Sequence, residues 1–140
     1  MATEKQITYG IKEKKGMPIG KLRPLLDKWQ KKLDMVDWKL SLEIVDFHRS
    51  DGFRQSGDFV ADPKSKTATL LMTWDPWRGD EEYVLVHELQ HILVYDYDIF
   101  CENAILKHCK EDSPEHDAYM DKLEKLVHQL TRILVGRSDR

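Results

Sequence analysis

The pentapeptide His-Glu-Leu-Gln-His at positions 87 to 91 constrains the fold of this chain more than any other feature. In a helix, residues four apart lie on the same face, so His87 and His91 can bind one metal ion through their imidazole rings. Glu88 projects about 100° away from His87 around the helix axis, where its carboxylate can reach a metal-bound water without being a ligand. The pentapeptide therefore predicts a helix that carries a Lewis acid and a general base within one turn, the combination that hydrolysis of an unactivated amide needs.

The residues on both sides of the pentapeptide are apolar, with Val84-Leu85-Val86 before it and Ile92-Leu93 after it. This pattern indicates a half-buried helix, whereas a surface helix with two spectator histidines, the alternative, would more often have charged or Gly-rich neighbours. The pattern resembles the active-site helix of the zincin metallopeptidases. The resemblance implies that the metal is Zn²⁺ and that the chain hydrolyses peptide bonds, with Glu88 as the catalytic base.

The composition is that of one ordinary domain, with 140 residues, 41% hydrophobic and 34% charged. No apolar run approaches the roughly 20 residues of a membrane span, and the N-terminal residues lack the apolar stretch of a secretion signal. The two cysteines, Cys101 and Cys109, fit a reducing compartment better than a disulfide framework. We therefore expect a cytoplasmic protein without a membrane partner.

The charges are distributed unevenly along the chain. Residues 1 to 39 hold ten of the 22 Lys and Arg residues but only five of the 25 Asp and Glu residues. Such a basic segment could bind nucleic acid. However, aromatic residues that would stack on bases are sparse there, and lysines on the outer face of a helix are usually solvated. Nucleic acid is therefore the less favoured partner.

The order of the predicted elements indicates an α+β domain. Residues 1–17 read as a flexible N-terminal arm and residues 18–140 as a single domain. Apolar spacing predicts a helix over residues 22–33, and alternation predicts a strand over residues 38–44. A polar loop over residues 46–58, short strands at 59–61 and 66–73, the helix that contains His87, and a final helix from Ser113-Pro114 to Gly136 follow. Residues 96–112 either extend the His87 helix or are irregular.

A catalytic zinc site usually has three protein ligands and an open position for water, so a third ligand is needed. The final helix and the segment before it offer the candidates Glu115, His116, Glu124 and His128, and less attractively Asp96, Asp98, Glu102 and His108. The apolar stripe of the final helix centres near Leu123, Val127 and Leu130, and Glu124 lies at its border, where a ligand facing a cleft would lie. A hydrogen-bond donor to the transition state could be any of Tyr95, Tyr97, Tyr119, His108 and His128.

The order of strands, His-Glu-x-x-His helix and C-terminal helix resembles the minimal gluzincins, in which a Glu on the last helix completes the zinc site. The segment from Glu124 to Leu134 is similar to the end of small phage and prophage proteins of this type, and this resemblance implies Glu124 as the ligand. It also implies the host cytoplasm as the location. By contrast, Glu115-His116 faintly resembles the third-ligand segment of the SprT-like DNA-associated proteases.

The sequence as a whole predicts a monomeric zinc metallopeptidase with a peptide or protein substrate. The metal ligands would be His87, His91 and Glu124, and Glu88 would take a proton from the attacking water. In zincins an extended peptide commonly lies along the edge strand before the active-site helix, which would here be residues 66–73. A non-catalytic zinc-binding module of a phage operon, a SprT-like protease and a purely structural zinc domain are the alternatives.

Overall fold

The protein, described here by a computed structural model, folds as four strands and three helices. The structure describes the backbone of residues 7–11, together with residues 19–52, 55–76 and 80–136. In chain order the elements are β1 (Ile7–Ile11), α1 (Ile19–Lys32), β2 (Lys39–Arg49), β3 (Gly57–Asp62), β4 (Thr67–Thr73), α2 (Glu81–Leu106) and α3 (Pro114–Val135).

The strands form one sheet in the order β1-β2-β4-β3. The β1–β2 and β3–β4 pairs are antiparallel, whereas β2 and β4 run parallel. The sheet is therefore mainly antiparallel, and the predicted α+β class is confirmed. Helix α1 precedes β2, β3 and β4, and two helices follow them, whereas β1 lies before α1 and was not predicted. Two parallel strands need a connection that brings the chain back to the starting end of the sheet. Here β3 provides it: the chain passes from β2 to β3 at the edge of the sheet, and β4 then returns between them as the antiparallel partner of β3.

The position of β4 contradicts one prediction from the sequence. Residues 66–73 were expected to form an edge strand that a peptide could extend, but β4 is central and paired on both sides. Its consecutive residues Leu70, Leu71 and Met72 are all buried, so both faces of the strand are covered. A continuous apolar run of this kind is typical of an interior strand. The alternation of Thr67 and Thr69 with apolar residues is instead typical of a half-exposed strand, and it led to the edge-strand prediction.

A strand also occurs within the segment predicted to be a flexible arm. Ile7–Ile11 pairs with β2, and its partners run from Arg49 to Val45. The pairing explains why β2 continues to Arg49, well into the segment where the sequence predicts a loop. The remaining residues of the predicted arm, 1–6 and 12–17, lie outside the described part of the chain, so the domain boundary stays a prediction.

A single apolar core joins the sheet to α1 and α2. Residues 83–90 of α2 are all buried, because the sheet, α1 and α3 surround this half of the helix. The start of α2 is held in place by Asp80, whose side chain caps the helix by accepting a hydrogen bond from the Tyr83 amide. Glu82 accepts a hydrogen bond of 2.7 Å from the Trp29 indole and thereby ties α1 to the same turn.

Helix α2 continues without a break to Leu106, so the helical alternative for residues 96–112 is correct up to that residue. Helix α3 then runs back along α2. It begins after Ser113, whose side chain caps the His116 amide, and ends at Gly136, which has a φ of 73°. Glycine adopts this left-handed conformation without strain, which makes Gly136 a suitable C-cap.

The face of α3 that contacts α2 differs from the one that its apolar stripe predicts. The buried residues of α3 are His116, Val127 and Thr131, whereas Leu126 is 52% and Leu130 40% exposed. The helix is therefore rotated so that a more polar face, adjacent to Glu124, meets α2. Among the described residues, no helix is both long and apolar enough to cross a membrane.

The central position of β4 predicts a large effect of truncating its buried side chains. Leu70→Ala should lower the free energy of unfolding by about 2–5 kcal/mol, because it leaves a cavity between the sheet and the helices. Val36→Ala removes a side chain that is 65% exposed and should change it by less than about 0.5 kcal/mol. Urea denaturation of both variants measures the difference, and equal effects would contradict the core described here.

Candidate metal centre

Helices α2 and α3 bring two imidazoles and one carboxylate together. His87 Nε2 lies 2.8 Å from Glu124 Oε1, and His91 Nε2 lies 3.1 Å from Glu124 Oε2. The two Nε2 atoms are 3.2 Å apart. The i, i+4 spacing places the two histidines on one face of α2, and Glu124 projects from α3 directly over them. The three residues selected from the sequence as ligands thus point at a common centre.

The separations between these donor atoms fit a zinc ion. Zinc binds imidazole nitrogen and carboxylate oxygen at about 2.0–2.2 Å in tetrahedral geometry, which sets neighbouring donor atoms about 3.3–3.6 Å apart. The observed separations of 2.8, 3.1 and 3.2 Å are only slightly shorter. The donor set, two neutral imidazoles and one carboxylate, is also one that catalytic zinc uses. The residues present therefore fit the metal that the sequence predicts.

The close approach of the two histidine nitrogens requires a positive charge between them, which a proton or a metal ion can supply. If both rings are neutral and carry their proton on Nδ1, two Nε2 lone pairs face each other at 3.2 Å. This arrangement is repulsive unless a cation lies between the nitrogens. The other nitrogen of His87, Nδ1, is buried and has no hydrogen-bond partner among the described residues. A metal-ligating histidine usually donates this proton to an acceptor, and the described residues do not provide one.

Hydrogen bonds and ion pairs join the three side chains of the cluster. Burial opposes the charge on Glu124, but hydrogen bonds from His87 and His91 outweigh it and lower the pKa of the carboxyl well below its usual range. Burial also opposes charge on His91, whereas the hydrogen bond to Glu124 and the nearby Glu88 raise its pKa, with a net upward shift. The cluster therefore favours a negative Glu124 and a positive charge between the histidines, which is the charge that a metal ion would supply.

The carboxylate of Glu88 lies beside this cluster, between α2 and the start of β3. Burial raises its pKa to about 7, and the charges of the two histidines only partly offset this effect. The backbone of Gly57 passes so close that a Cβ there would lie 3.0 Å from Glu88 Oε2 and 2.8 Å from a methyl carbon of Val84. Glycine is therefore required for this close approach of strand and helix. A carboxyl with a pKa near neutrality is suited to accept and return a proton at pH 7.

Aromatic rings fix the orientation of both imidazoles. Phe59 on β3 stacks on His91, with ring centroids 5.8 Å apart and an interplanar angle of 12°. Tyr83, one turn before His87, stacks on that ring at 6.3 Å and 17°. The two rings therefore restrict the imidazoles from opposite sides of the cluster and exclude solvent from their flanks.

His128 also reaches the cluster. Its Nε2 lies 3.3 Å from Glu124 Oε1, one turn away on α3, and its ring centroid lies 4.4 Å from that of His87. The other nitrogen, Nδ1, is 2.8 Å from the hydroxyl oxygen of Tyr83. Partial burial, together with the neighbouring His87, lowers the pKa of His128, which favours its neutral form.

The structure does not bring the two competing third ligands to the site. His116 is buried at the other end of α3, where its Nε2 lies 2.7 Å from Glu102 Oε2 and its Nδ1 accepts a hydrogen bond from the Asp112 amide. Both ring nitrogens are thus engaged with the end of α2 and the turn after it. Glu115 is exposed in the first turn of α3. The resemblance to the SprT-like proteases depended on His116 as the third ligand, and His116 does not reach the site.

Several of the other candidate residues make contacts outside the three converging donors. Tyr119 donates a hydrogen bond of 2.6 Å to Asp98, Tyr97 is 71% exposed, and both cysteines are free thiols. Tyr95 packs edge-on against Phe59. Of the proposed transition-state donors, His128 is the one that contacts Glu124.

Three residues of the site were not recognised as such from the sequence: Tyr83, Gly57 and Phe59. Tyr83 could have been found, because it precedes His87 by four residues just as His87 precedes His91. Gly57 and Phe59 carry no such signal. They reach the site because β3 crosses α2, and this contact depends on the sheet order.

Comparisons of the chain with protein-family models, with curated proteins and with solved structures give no match. The function is therefore inferred from the geometry of the site and from the residues that form it.

The raised pKa of Glu88 predicts a pH-dependent effect of Glu88→Gln on the zinc-free protein. The folded-state pKa of about 7 exceeds the usual 4.5, so burying the carboxyl destabilises the fold fully above pH 7 and hardly at all below about 4.5. At pH 8 the variant should be more stable than the wild type by up to about 3 kcal/mol, and at pH 4.5 the two should be similar. Denaturation in a chelator at both pH values measures this, with Glu115→Gln as a matched surface control. A stability difference that is independent of pH would contradict the assignment.

Proposed function

We propose that this protein is a zinc-dependent metallopeptidase. The observation that carries the proposal is the contact of one carboxylate, Glu124, with the Nε2 atoms of both His87 and His91, at 2.8 and 3.1 Å. These three donors come from two separate helices, and nothing in local helix geometry forces Glu124 to meet the histidines. Their convergence beside a buried carboxyl supports a hydrolytic centre over a pair of surface histidines.

In this proposal His87, His91 and Glu124 would hold a zinc ion, which would supply Lewis-acid chemistry to the scissile carbonyl and to a water molecule. Glu88 accepts the proton of the attacking water and later donates it to the leaving amine. Burial raises the pKa of Glu88 to about 7 in the metal-free protein, which favours proton exchange near neutral pH. Phe59 and Tyr83 hold the imidazoles in place and limit the access of solvent to the flanks of the site.

Among the described strands, the one at the edge of the sheet beside the site is β3, not β4. Within the described residues β3 has one partner, and its first residue, Gly57, lies against Glu88. An extended peptide that added to this edge through main-chain hydrogen bonds would pass over the general base. This geometry favours a peptide or protein substrate. The monomeric state, the cytoplasmic location and the phage origin stay predictions from the sequence.

The proposal predicts that the protein binds zinc. The purified protein should hold about one zinc ion per chain, because three donors converge on one point. His87→Ala and His91→Ala should lose it, and Glu124→Ala should weaken zinc binding by about 10–100-fold or more. Glu115→Ala, on the same helix, and His108→Ala, on the surface, are matched controls that should retain wild-type zinc. Metal analysis and competition with a chromophoric chelator measure the effect. A folded wild-type protein that takes up no zinc would overturn the proposal.

A substitution of Glu88 distinguishes the role of a general base from that of a metal ligand. Glu88→Gln should retain zinc but hydrolyse a diverse peptide pool about 100-fold more slowly or worse, because an amide cannot accept the proton. Glu115→Gln makes the same chemical change on the surface and should keep full activity. Loss of zinc from Glu88→Gln would show that Glu88 is a ligand. A zinc-loaded wild type that cleaves no peptide in the pool would favour the non-catalytic zinc-binding module.

A further inference from the structure

The ligand spacing of α2 is repeated on α3. His87 and His91 are one turn apart on α2, and Glu124 and His128 are one turn apart on α3. The side chains of His87, Glu124 and His128 meet between the two helices, and His91 joins them through Glu124. A ring nitrogen of His87, a carboxylate oxygen of Glu124 and a ring nitrogen of His128 lie within 4.8 Å of one another. The site thus offers four potential ligands, one more than the proposed catalytic centre requires.

The hydroxyl group of Tyr83 determines which nitrogen of His128 is available. It lies 2.8 Å from Nδ1 and also 3.4 Å from the backbone oxygen of His128. Tyr83 is buried at the start of α2, so this contact anchors the imidazole of α3 to the helix that carries the other two histidines. Nε2 is left facing the cluster, at 3.3 Å from Glu124 Oε1. That separation is close to the one expected for neighbouring ligands of a tetrahedral zinc ion, about 3.3 Å.

We propose that His128 is a fourth, displaceable ligand that closes the metal site when no substrate is bound. The inference rests on zinc binding as set out in the proposed function. Four protein ligands leave no position for water, which is the arrangement of structural zinc sites, whereas catalytic sites keep one position open. A centre closed by His128 is therefore latent, and it becomes hydrolytic when the imidazole leaves.

The exposure of the four side chains indicates which of them can leave. The side chains of His87 and His91 on α2 are only 10% and 13% exposed, whereas those of Glu124 and His128 on α3 are 46% and 44% exposed. Glu124 contacts both His87 and His91, so its departure would break both contacts. His128 borders solvent and is held at the far side of its ring by the hydroxyl group of Tyr83. His128 can therefore move away from the metal without disturbing the core.

Zinc affinity alone cannot test this proposal, because removing a group that only supports a ligand also weakens metal binding by about 10–100-fold. The number of coordinated imidazoles is the direct measurement. X-ray absorption at the zinc edge should count three imidazoles in the wild type and two in His128→Ala. His108→Ala, which removes a surface histidine, should still show three.

Access of a small anion gives a second, independent measurement. In the cobalt-substituted protein, azide should perturb the visible absorption of His128→Ala at lower concentration than that of the wild type. If His128 occupies the fourth position in about 90% of molecules, the apparent Kd for azide in the wild type rises about tenfold. Tyr83→Phe keeps the aromatic ring but removes the anchoring hydroxyl, so its azide affinity should fall between the two.

The outcomes separate this inference from the proposed function. A wild-type protein without bound metal would contradict both. A zinc-loaded wild type with two imidazoles, or one that binds azide as well as His128→Ala does, would overturn the fourth ligand and leave the metallopeptidase proposal intact. If His128→Ala does not fold, the imidazole count of the wild type alone decides.

Discussion

The contact of one carboxylate on α3 with two imidazoles on α2 is the constraint to which much of the structure is adapted. Further polar pairs join the same two helices: Gln90 with Thr131, Asp98 with Tyr119 and Glu102 with His116. Two of the three buried residues of α3 are polar, so polar contacts form a large part of the buried contact between the two helices. Buried polar groups without partners are destabilising, and each pair therefore specifies the register of α3 along α2. This register is what places Glu124 over His87 and His91.

The proposed catalytic base introduces a conflict between stability and function. Residues 83–90 form the most completely buried part of α2, and Glu88 lies within it. The same burial that makes its ionisation unfavourable raises the pKa to about 7, where a carboxyl is an effective base. A site built on the surface of the helix would avoid this destabilisation, but its carboxyl would have an ordinary pKa. The helix is thus apolar around the motif for two reasons, namely core packing and the tuning of Glu88.

The sheet contributes to the site mainly through its order. Because β3 forms the outer strand next to α2, its residues Gly57 and Phe59 meet Glu88 and His91. A side chain at position 57 would collide with the base, so the absence of a Cβ is a requirement of this packing. β4, in contrast, supplies Leu70 and Met72 to the core and has no free edge. Of the two strands of this hairpin, β3 at the edge contacts the site and β4 in the interior contributes to the core.

The sequence by itself determined the features that depend on local spacing. The helix with His87, Glu88 and His91 on adjoining positions, the caps at Asp80 and Ser113, and the α+β order all follow from residues within a few positions of one another. Only the tertiary structure decided between the candidate ligands of α3, because residues 115, 116, 124 and 128 differ in which part of α2 they meet. It also decided the strand order, since whether β4 is an edge depends on β2, more than 20 residues earlier in the chain. Helical periodicity is a short-range property, whereas the register of one packed helix on another and the pairing of distant strands are set by contacts that no local pattern encodes.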